Sequence, residues 1–331
     1  MFTITFKRIA VVLMAFCCLL TVPTLAQSAR VTEDSTALHR HYASHRSVSS
    51  GAASQSNVPQ PHFSYVTFDV PTATATEVRG INDRGDTVGI YDDASGIRHG
   101  FSRDRKGKLA TIDVPGAGST RTNQVNNLEE IAGAYTSTDN VTHGFVIINS
   151  KTIRLDFPGA TSTSSAGLND KTEVVGRTTD ATSAEHGYVW RNGKFTQLDV
   201  PNSLFTYAIS ISDGGYVTGD YEDAATNVHC FVLHNGKYTT VDFPGAVLTG
   251  ECSINSLGEI SGNYYDVAGN AHSFVFVRNN FFATDVPETL ETDLQDLNNR
   301  LDVVGDYYDS NGNEHGVIGV IDCSKLDGQN P

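Results

Sequence analysis

The sequence predicts an all-β fold in which one unit of about 43 residues occurs six times. The tripeptide Asp-x-Pro recurs with steps of 44, 43, 43, 43 and 43 residues, beginning at Asp69, Asp113, Asp156, Asp199, Asp242 and Asp285. A second tag has the same period: a histidine followed two residues later by an aromatic residue, or by Val317 in the last copy. Its histidines are His99, His143, His186, His229, His272 and His315. A repeat this regular indicates one supersecondary unit stacked beside its copies.

Each unit is predicted to contain four short strands. In the first copy they are residues 77–81, 87–91, 99–103 and 109–114, which are separated by turn-forming residues. A helical repeat would need segments of roughly 10–15 residues with apolar residues at i, i+3 and i+4, and the units contain none. Four strands in a unit of about 40–45 residues are typical of a propeller blade.

The two ends of the repeat region predict how the ring closes. Residues 65–70 are an isolated copy of a fourth strand, and residues 316–321 are a third strand with no fourth strand after it. If both join one blade, neither leaves an unpaired edge. We therefore predict a six-bladed β-propeller of four-stranded blades over residues 61–323, closed by N- and C-terminal strands that share one blade. Residues 324–331 are predicted to be a C-terminal tail.

The N-terminal region predicts export. Within residues 1–26, Lys7 and Arg8 precede an apolar run that ends in the small-x-small sequence Thr-Leu-Ala. That run is shorter than the roughly 20 residues a membrane span needs, so we expect a cleaved signal peptide rather than an anchor. Residues 27–60 are polar and poor in large apolar side chains, which predicts a disordered linker. The mature protein is expected to be secreted or periplasmic, with no membrane span.

The charge of the chain excludes one class of partner. The net charge is −15, and it becomes −17 when Lys7 and Arg8 leave with the signal peptide. Nucleic acids are bound mainly through surfaces rich in cations, so no nucleic-acid partner is predicted. We expect a soluble monomer.

The cysteines allow at most one disulfide within the mature chain. Signal cleavage would leave Cys230, Cys252 and Cys323. Cys230 and Cys252 are the nearer pair, and no other copy of the repeat has cysteine at either position. The alternative is three buried thiols.

The repeated phrases resemble a known family. The His-x-Phe tag, the Ile-Asn-Asp and Val-Gly-x-Tyr phrases of the first copy and the secretion signal are similar to the bacterial extracellular repeat family named HAF after its His-Ala-Phe tag. The resemblance covers residues 65–321, with Gly, Cys or Ser in place of the central Ala. It implies an exported repeat protein and supplies no chemistry.

The residues that recur in every copy are predicted to be structural. The six histidines would lie on a wide circle, so they cannot converge on one ion at the roughly 2 Å a ligand bond needs. A buried hydrogen bond repeated in each blade is expected instead, and no metal or other cofactor is predicted. The recurring glycine of the second strand, Gly89 in the first copy, is expected to make room for a neighbouring backbone.

The candidate ligand site comes from positions at which the copies differ. The positions five and three residues before the recurring asparagine of the first turn alternate along the first strand, so they are expected to share one face at the mouth of the channel. They supply the candidate residues Glu77, Arg79, Arg121, Asn123, Tyr207, Asp293 and Gln295. The loops between second and third strands, on the same face, are rich in Asp and Glu. Drift at unconstrained positions would give a similar pattern and remains an alternative.

Two functions are compatible with these residues. The first is an exported, non-enzymatic binding module whose ligand, an extracellular glycan, peptide or protein, lies at the acidic channel mouth. The second is a secreted hydrolase or lyase that acts on a carbohydrate or peptide, with Glu77 or Asp293 as acid/base beside Arg79 or Arg121. Two carboxylates about 5–10 Å apart would favour the enzyme. The chain contains no familiar catalytic motif, so no catalytic residue is predicted.

Overall fold

The computed structural model describes residues 59–324 and 326, which form a six-bladed β-propeller. The predicted signal peptide, nearly all of the predicted linker and most of the predicted tail lie outside these residues. Within residues 59–324 and 326, no helix has the length and apolar character that a membrane span requires.

Five blades consist of four strands that are consecutive in sequence. Blade 1 contains β2 (Ala75–Ile81), β3 (Thr87–Asp92), β4 (Arg98–Arg103) and β5 (Leu109–Ile112). Blade 2 contains β6 (Ala117–Val125), β7 (Ile131–Ser137), β8 (Thr142–Ile148) and β9 (Lys151–Leu155). Blade 3 contains β10 (Ser162–Leu168), β11 (Val174–Thr179), β12 (Glu185–Arg191) and β13 (Lys194–Leu198). Blade 4 contains β14 (Phe205–Ile211), β15 (Val217–Glu222), β16 (Val228–His234) and β17 (Lys237–Thr240). Blade 5 contains β18 (Leu248–Ile254), β19 (Ile260–Tyr265), β20 (Ala271–Val277) and β21 (Asn280–Ala283).

The sixth blade is built from both ends of the repeat region. Its strands are β22 (Glu291–Leu297), β23 (Asp302–Tyr308), β24 (Glu314–Asp322) and, outermost, β1 (His62–Phe68). β1 pairs antiparallel with β24 along its whole length, from His62 opposite Asp322 to Phe68 opposite Gly316. The predicted six blades and their shared closing blade are confirmed. The first strands of neighbouring blades contact one another around the ring, so they line the central channel.

The core lies between the faces of adjacent blades, and the aromatic residue of the repeated tag is at its centre. Phe101, Phe145, Tyr188, Phe231 and Phe274 are all fully buried, as is Val317 in the last copy. In blades 1, 2 and 5 the ring fills space that the glycine of the second strand leaves open: a Cβ on Gly89 would lie 2.8 Å from the Phe101 ring. The tag therefore recurs because each blade must fill the same volume.

A β-bulge interrupts every first strand, and the recurring glycine of the second strand accommodates it. In blade 1 the register of β2 against β3 shifts at Arg79, between the Val78–Gly89 and Gly80–Val88 pairs. A Cβ on Gly89 would lie 2.0 Å from the Glu77 carbonyl oxygen, and one on Gly219 would lie 1.8 Å from the Tyr207 carbonyl oxygen. No side chain fits at these distances. The expected close approach of backbone to glycine therefore occurs at the bulge.

Two rings of hydrogen bonds join the blades at the channel end where the first strands finish. In the inner ring, the side-chain amide of Asn82 donates to the main-chain oxygen of Asn126, and the pattern continues around five of the six junctions. Ser212 replaces asparagine in blade 4 and cannot reach blade 5. In the second ring, a main-chain N–H donates to the next blade's side-chain oxygen at every junction; the longest link, 3.3 Å, joins Asp213 to Ser256. The junction of blades 4 and 5 therefore has the fewest and longest of these hydrogen bonds.

The recurring histidines connect each third strand to the Asp-x-Pro turn. Their Nδ1 atoms lie 2.7–3.0 Å from the aspartate of that turn, and His315 reaches Asp69 across the closing blade. In five blades the Nε2 atom also lies 3.4–3.6 Å from an aspartate of the acidic loop. His143 is buried, but the other five are half-buried, so the hydrogen bond that was expected to be buried lies near the surface in five blades. Among the described residues, no group of three His, Cys, Asp or Glu side chains is arranged to hold a metal ion.

Candidate functional site

A cavity of about 110 Å³ lies in the channel, towards the end where the first strands begin. Its wall comes mainly from blades 3, 4 and 5, and a few side chains reach it from across the channel. The acidic loops follow the second strands, and in an antiparallel blade the second strand ends where the first begins. The cavity therefore lies at the acidic end, and the two hydrogen-bonded rings lie at the other.

Four of the seven candidate residues line this cavity: Arg79, Asn123, Tyr207 and Gln295. Glu77, Arg121 and Asp293 are each at most 6% exposed and do not line it. Glu77 forms an ion pair with Arg79, with 2.7 Å between Oε2 and Nη1. The seven candidate residues were predicted to share one face, but four of them line the cavity and three do not.

The bulges explain why the two variable positions separate, although Tyr207 at the earlier position also lines the cavity. Regular alternation would place the two variable positions of each first strand on one face, but the bulge lies at the later position and turns its side chain towards the channel. Five of the six blades therefore present that residue to the cavity: Arg79, Asn123, Ala166, Ile209 and Gln295. The expectation of a single shared face is corrected accordingly.

Blade 5 departs from the pattern because its irregularity spans two residues. β18 pairs with β19 as far as Gly250 and again only from Ser253, and Glu251, between them, has a positive φ of 56°. Glu251 lines the cavity, whereas Cys252 turns away and forms a disulfide with Cys230, with 6.0 Å between the Cα atoms. This bond joins β16 of blade 4 to β18 of blade 5. Cys323 is a free, buried thiol.

An aromatic pair forms one wall of the cavity. The rings of Phe205 and Tyr207 stack with their centroids 4.4 Å apart. The guanidinium carbon of Arg177 lies 4.8 Å from the centroid of Tyr207, and the Tyr207 hydroxyl donates a hydrogen bond to Glu185. These contacts hold the aromatic surface in place before any ligand arrives.

A buried carboxyl group lies beside this wall. Asp220 is 5% exposed, and its Oδ1 accepts a hydrogen bond of 2.8 Å from the main-chain N–H of Glu251. Burial, followed by the negative charge of Glu251, raises the pKa of Asp220 to about 8. The group is therefore mostly protonated at neutral pH and can donate a hydrogen bond.

Asn123, which lines the cavity, has a buried amide oxygen. Its Nδ2 donates to the main-chain oxygen of Ser165 at 2.7 Å, which fixes the amide orientation. Its Oδ1 is buried and has no hydrogen-bond partner among residues 59–324 and 326, although the residue is only 8% exposed. An acceptor in this position needs a donor.

Sequence reasoning missed Arg177, Asp220, Glu251 and Phe205. Arg177 and Asp220 occupy the same repeat position, directly after the recurring glycine of the second strand. The six copies at this position are Ile90, Ala134, Arg177, Asp220, Asn263 and Asp306. That variation was visible in the sequence and would have identified both residues. Glu251 could not be found in this way, because only the backbone irregularity of blade 5 brings it to the cavity.

No family model matches the chain, and no curated protein matches its sequence. Solved structures resemble it at low identity. A protein assigned as TolB from Agrobacterium tumefaciens has a TM-score of 0.54 at 8% identity, over 78% of this chain and 97% of that one. A mutant of AofleA from Arthrobotrys oligospora has 0.48 at 11%, over 79% and 93%. The fucose-recognising six-bladed lectin of Aleuria aurantia has 0.46 at 12%, over 76% and 93%. Likenesses of this degree concern the fold and not the ligand.

A second group of carboxyl side chains lies at the junction of blades 6 and 1, outside the cavity lining. It contains Glu77, Asp293, Asp306 and Glu314, and the Tyr308 hydroxyl donates to Glu314 at 3.2 Å. Burial, followed by the charge of Glu77, raises the pKa of Glu314 to about 8. Burial and the charge of Asp293 raise the pKa of Asp306 well above its usual range. The proton on Glu314 limits the repulsion at this junction.

The raised pKa values predict how stability depends on pH. Asp220, Glu314 and Asp306 bind protons in the folded chain at pH values where the unfolded chain has released them. Their contribution is fully present below about pH 4, and for Asp220 and Glu314 it is lost as the pH rises towards about 8. Hydrogen bonds from the Thr182 hydroxyl and the Ala184 N–H lower the pKa of Asp180 to about 2, so its contribution disappears in strong acid.

We therefore expect the free energy of unfolding, measured by urea titration, to be greatest near about pH 4 and to fall steadily up to about pH 8. In Glu314→Gln the free energy of unfolding should fall less steeply with pH. The slope should decrease by about the contribution of one proton, because the substitution removes one titrating group. A slope that is the same in Glu314→Gln as in the unmodified chain would contradict the assignment of a proton to Glu314.

Proposed function

We propose that this chain is an exported, non-enzymatic binding module that holds a polar organic ligand in the channel cavity. One observation carries the proposal: the cavity breaks the sixfold repetition of the scaffold. The aromatic pair, Arg177, Asp220 and Glu251 all lie in blades 3 to 5. A ligand without sixfold symmetry requires such a difference between blades, and the scaffold itself does not.

The lining supports a ligand with both polar and apolar surfaces. Phe205, Ile209 and Val228 supply apolar area, while Asn123 and Gln295 supply amide groups. A concave site with apolar walls and a few convergent polar groups is the usual form of a small-molecule site. The residue pattern of the first 26 residues and the resemblance to the HAF repeat family support export, and both remain proposals.

A binding screen with immobilised glycans and peptides tests this function. Asn123→Leu and Arg177→Gln should each weaken capture of the identified ligand at least about 10-fold, because each removes a polar group from the cavity wall. Gln197→Ala is the control, since Gln197 is exposed and hydrogen-bonded to Asp199 away from the cavity. Circular dichroism melting checks that the variants fold. Equal capture by the unmodified chain and both cavity variants would contradict the proposed site.

A secreted hydrolase or lyase is the second candidate, and one observation favours it. Asp220, whose pKa is raised to about 8 by burial, lies in the same cavity as the carboxyl group of Glu251, which is the arrangement of a general acid beside a second carboxyl group. This pair takes the place of the predicted acid/base residues Glu77 and Asp293, which do not face the cavity. End-labelled oligosaccharides and peptides distinguish the two functions. Shortened products that disappear in Asp220→Asn would establish the enzyme, whereas binding without products supports the module.

A further inference from the structure

We infer that the ligand of the channel cavity is one uncharged saccharide ring, which donates a hydroxyl hydrogen bond to Asn123 and accepts one from Asp220. This inference rests on the proposed binding function and names its ligand class. It follows from three properties of the cavity: the hydrogen-bonding roles of its polar groups, the pairing of its charges, and its size.

The hydrogen-bonding roles require a ligand that both donates and accepts. Asn123 offers an acceptor, because its Nδ2 is committed to Ser165 and its Oδ1 is buried with no partner among the described residues. Asp220 offers a donor at neutral pH, because burial keeps its carboxyl group protonated. A hydroxyl group can serve either role. A ligand carboxylate cannot donate to Asn123, and a ligand ammonium cannot accept from Asp220.

The charges of the cavity are already paired within the protein. Arg79 lies 2.7 Å from the Glu77 carboxylate, and the guanidinium of Arg177 lies over the Tyr207 ring. An anionic ligand would compete with these contacts. It would also approach through the acidic loops, where Asp180 remains ionised because Thr182 and Ala184 lower its pKa to about 2. An uncharged ligand meets neither obstacle.

The size and the apolar wall fit one ring. The cavity measures about 110 Å³, and one water molecule needs roughly 10–15 Å³ of such a volume, so it holds a ligand of roughly ten heavy atoms. Phe205 is half-buried and lies on the cavity wall with Ile209 and Val228. This surface can contact the C–H face of a pyranose while the amide and carboxyl groups contact its hydroxyls. A peptide segment of several residues is too large.

Matched sugars that differ only in charge provide the test. The probes are methyl glucoside, glucuronate and glucosamine, with the corresponding galactose and mannose series, titrated up to about 20 mM by calorimetry and protein-observed NMR. We expect at least one neutral methyl glycoside to bind, and its acidic and amino counterparts to bind at least about 10-fold more weakly. A uronate or amino sugar that binds as tightly as the neutral sugar overturns the inference, and so does a panel in which no neutral glycoside binds.

Variants show whether the sugar lies in this cavity. Asn123→Leu and Gln295→Ala should each weaken the affinity for the neutral glycoside at least about 5-fold, and Gln197→Ala should leave that affinity unchanged. Two different residues keep the test valid if one variant fails to fold. Capture of a tripeptide or uronate that both variants lose would overturn the saccharide and retain the binding site. Glycoside binding that neither variant affects would overturn the site as well.

The pH dependence tests the role of Asp220 separately. Because the pKa of Asp220 is raised to about 8, its O–H donor disappears as the pH rises through that value. Affinity for the neutral glycoside should therefore fall at least about 5-fold between about pH 6 and pH 10. Asp220→Asn keeps a donor at all pH values and should remove this dependence. An identical pH profile in Asp220→Asn overturns the donor role.

Discussion

A chain that begins at Thr72 should fail to fold, whereas a chain that begins at Pro59 should melt like the full mature protein. The shorter chain lacks β1 and therefore the whole ladder that pairs His62–Phe68 with β24. It also loses Phe63 and Tyr65 from the core of the closing blade, and Val70 from the core beside blade 1. Each large side chain contributes about 1.5–3 kcal/mol on burial, so their sum is comparable to the roughly 5–15 kcal/mol of an entire domain.

Circular dichroism and urea unfolding distinguish the two chains. A synthetic peptide of residues 59–71, added to the shorter chain, should restore a cooperative transition by supplying the missing edge strand. The chain beginning at Pro59 controls for the loss of the preceding residues alone. Cooperative melting of the shorter chain within a few degrees of the longer one would refute the shared closing blade.

Gly219→Ala should lower the free energy of unfolding by about 3 kcal/mol or more. The new Cβ would lie 1.8 Å from the Tyr207 carbonyl oxygen, so the first strand of blade 4 must move. Tyr207 and the neighbouring cavity wall move with it, and ligand capture should be lost even in molecules that remain folded. Urea unfolding gives the first value, and the binding screen gives the second.

Gly118→Ala is the matched control for this prediction. Gly118 also lies in a strand, β6, but it is exposed and the nearest atom to its added Cβ is 3.6 Å away. The substitution should change the free energy of unfolding by no more than about 0.5 kcal/mol. Similar losses in the two variants would show that the destabilisation comes from removing glycine in general and not from the close approach of the Tyr207 carbonyl oxygen.

The fold could be predicted from the sequence because each copy solves the same packing problem with the same residues. Phe101 and its equivalents, the glycine beneath them and the Asp-x-Pro turn are all constrained, so their period is preserved. The strand limits were less predictable. β1 runs over His62–Phe68 instead of residues 65–70, because its length is set by the partner β24 and not by its own composition.

The cavity could be predicted only in part. Asn123 and Gln295 were found because variation marked their positions, but the single face assigned to them assumed a regular pleat. The bulges change which side chains enter the channel, and a bulge leaves no direct signal in residue type. Asp220 was not predicted, because it directly follows the recurring glycine Gly219, and that segment of the strand was assigned a purely structural role. Its proton depends on burial and on Glu251, which are properties of the assembled blades.

The disulfide lies at the junction where the inner hydrogen-bonded ring is interrupted. The inner ring is interrupted at Ser212, between blades 4 and 5, and the disulfide between Cys230 and Cys252 joins those same two blades. The contact between Asp220 and Glu251 crosses this junction too. Reduction of this disulfide should therefore loosen the junction of blades 4 and 5 first. Because the cavity wall is assembled at that junction, ligand binding should be lost before the propeller unfolds. Disulfides persist in oxidising environments outside the cytoplasm, and there the two blades would remain covalently joined.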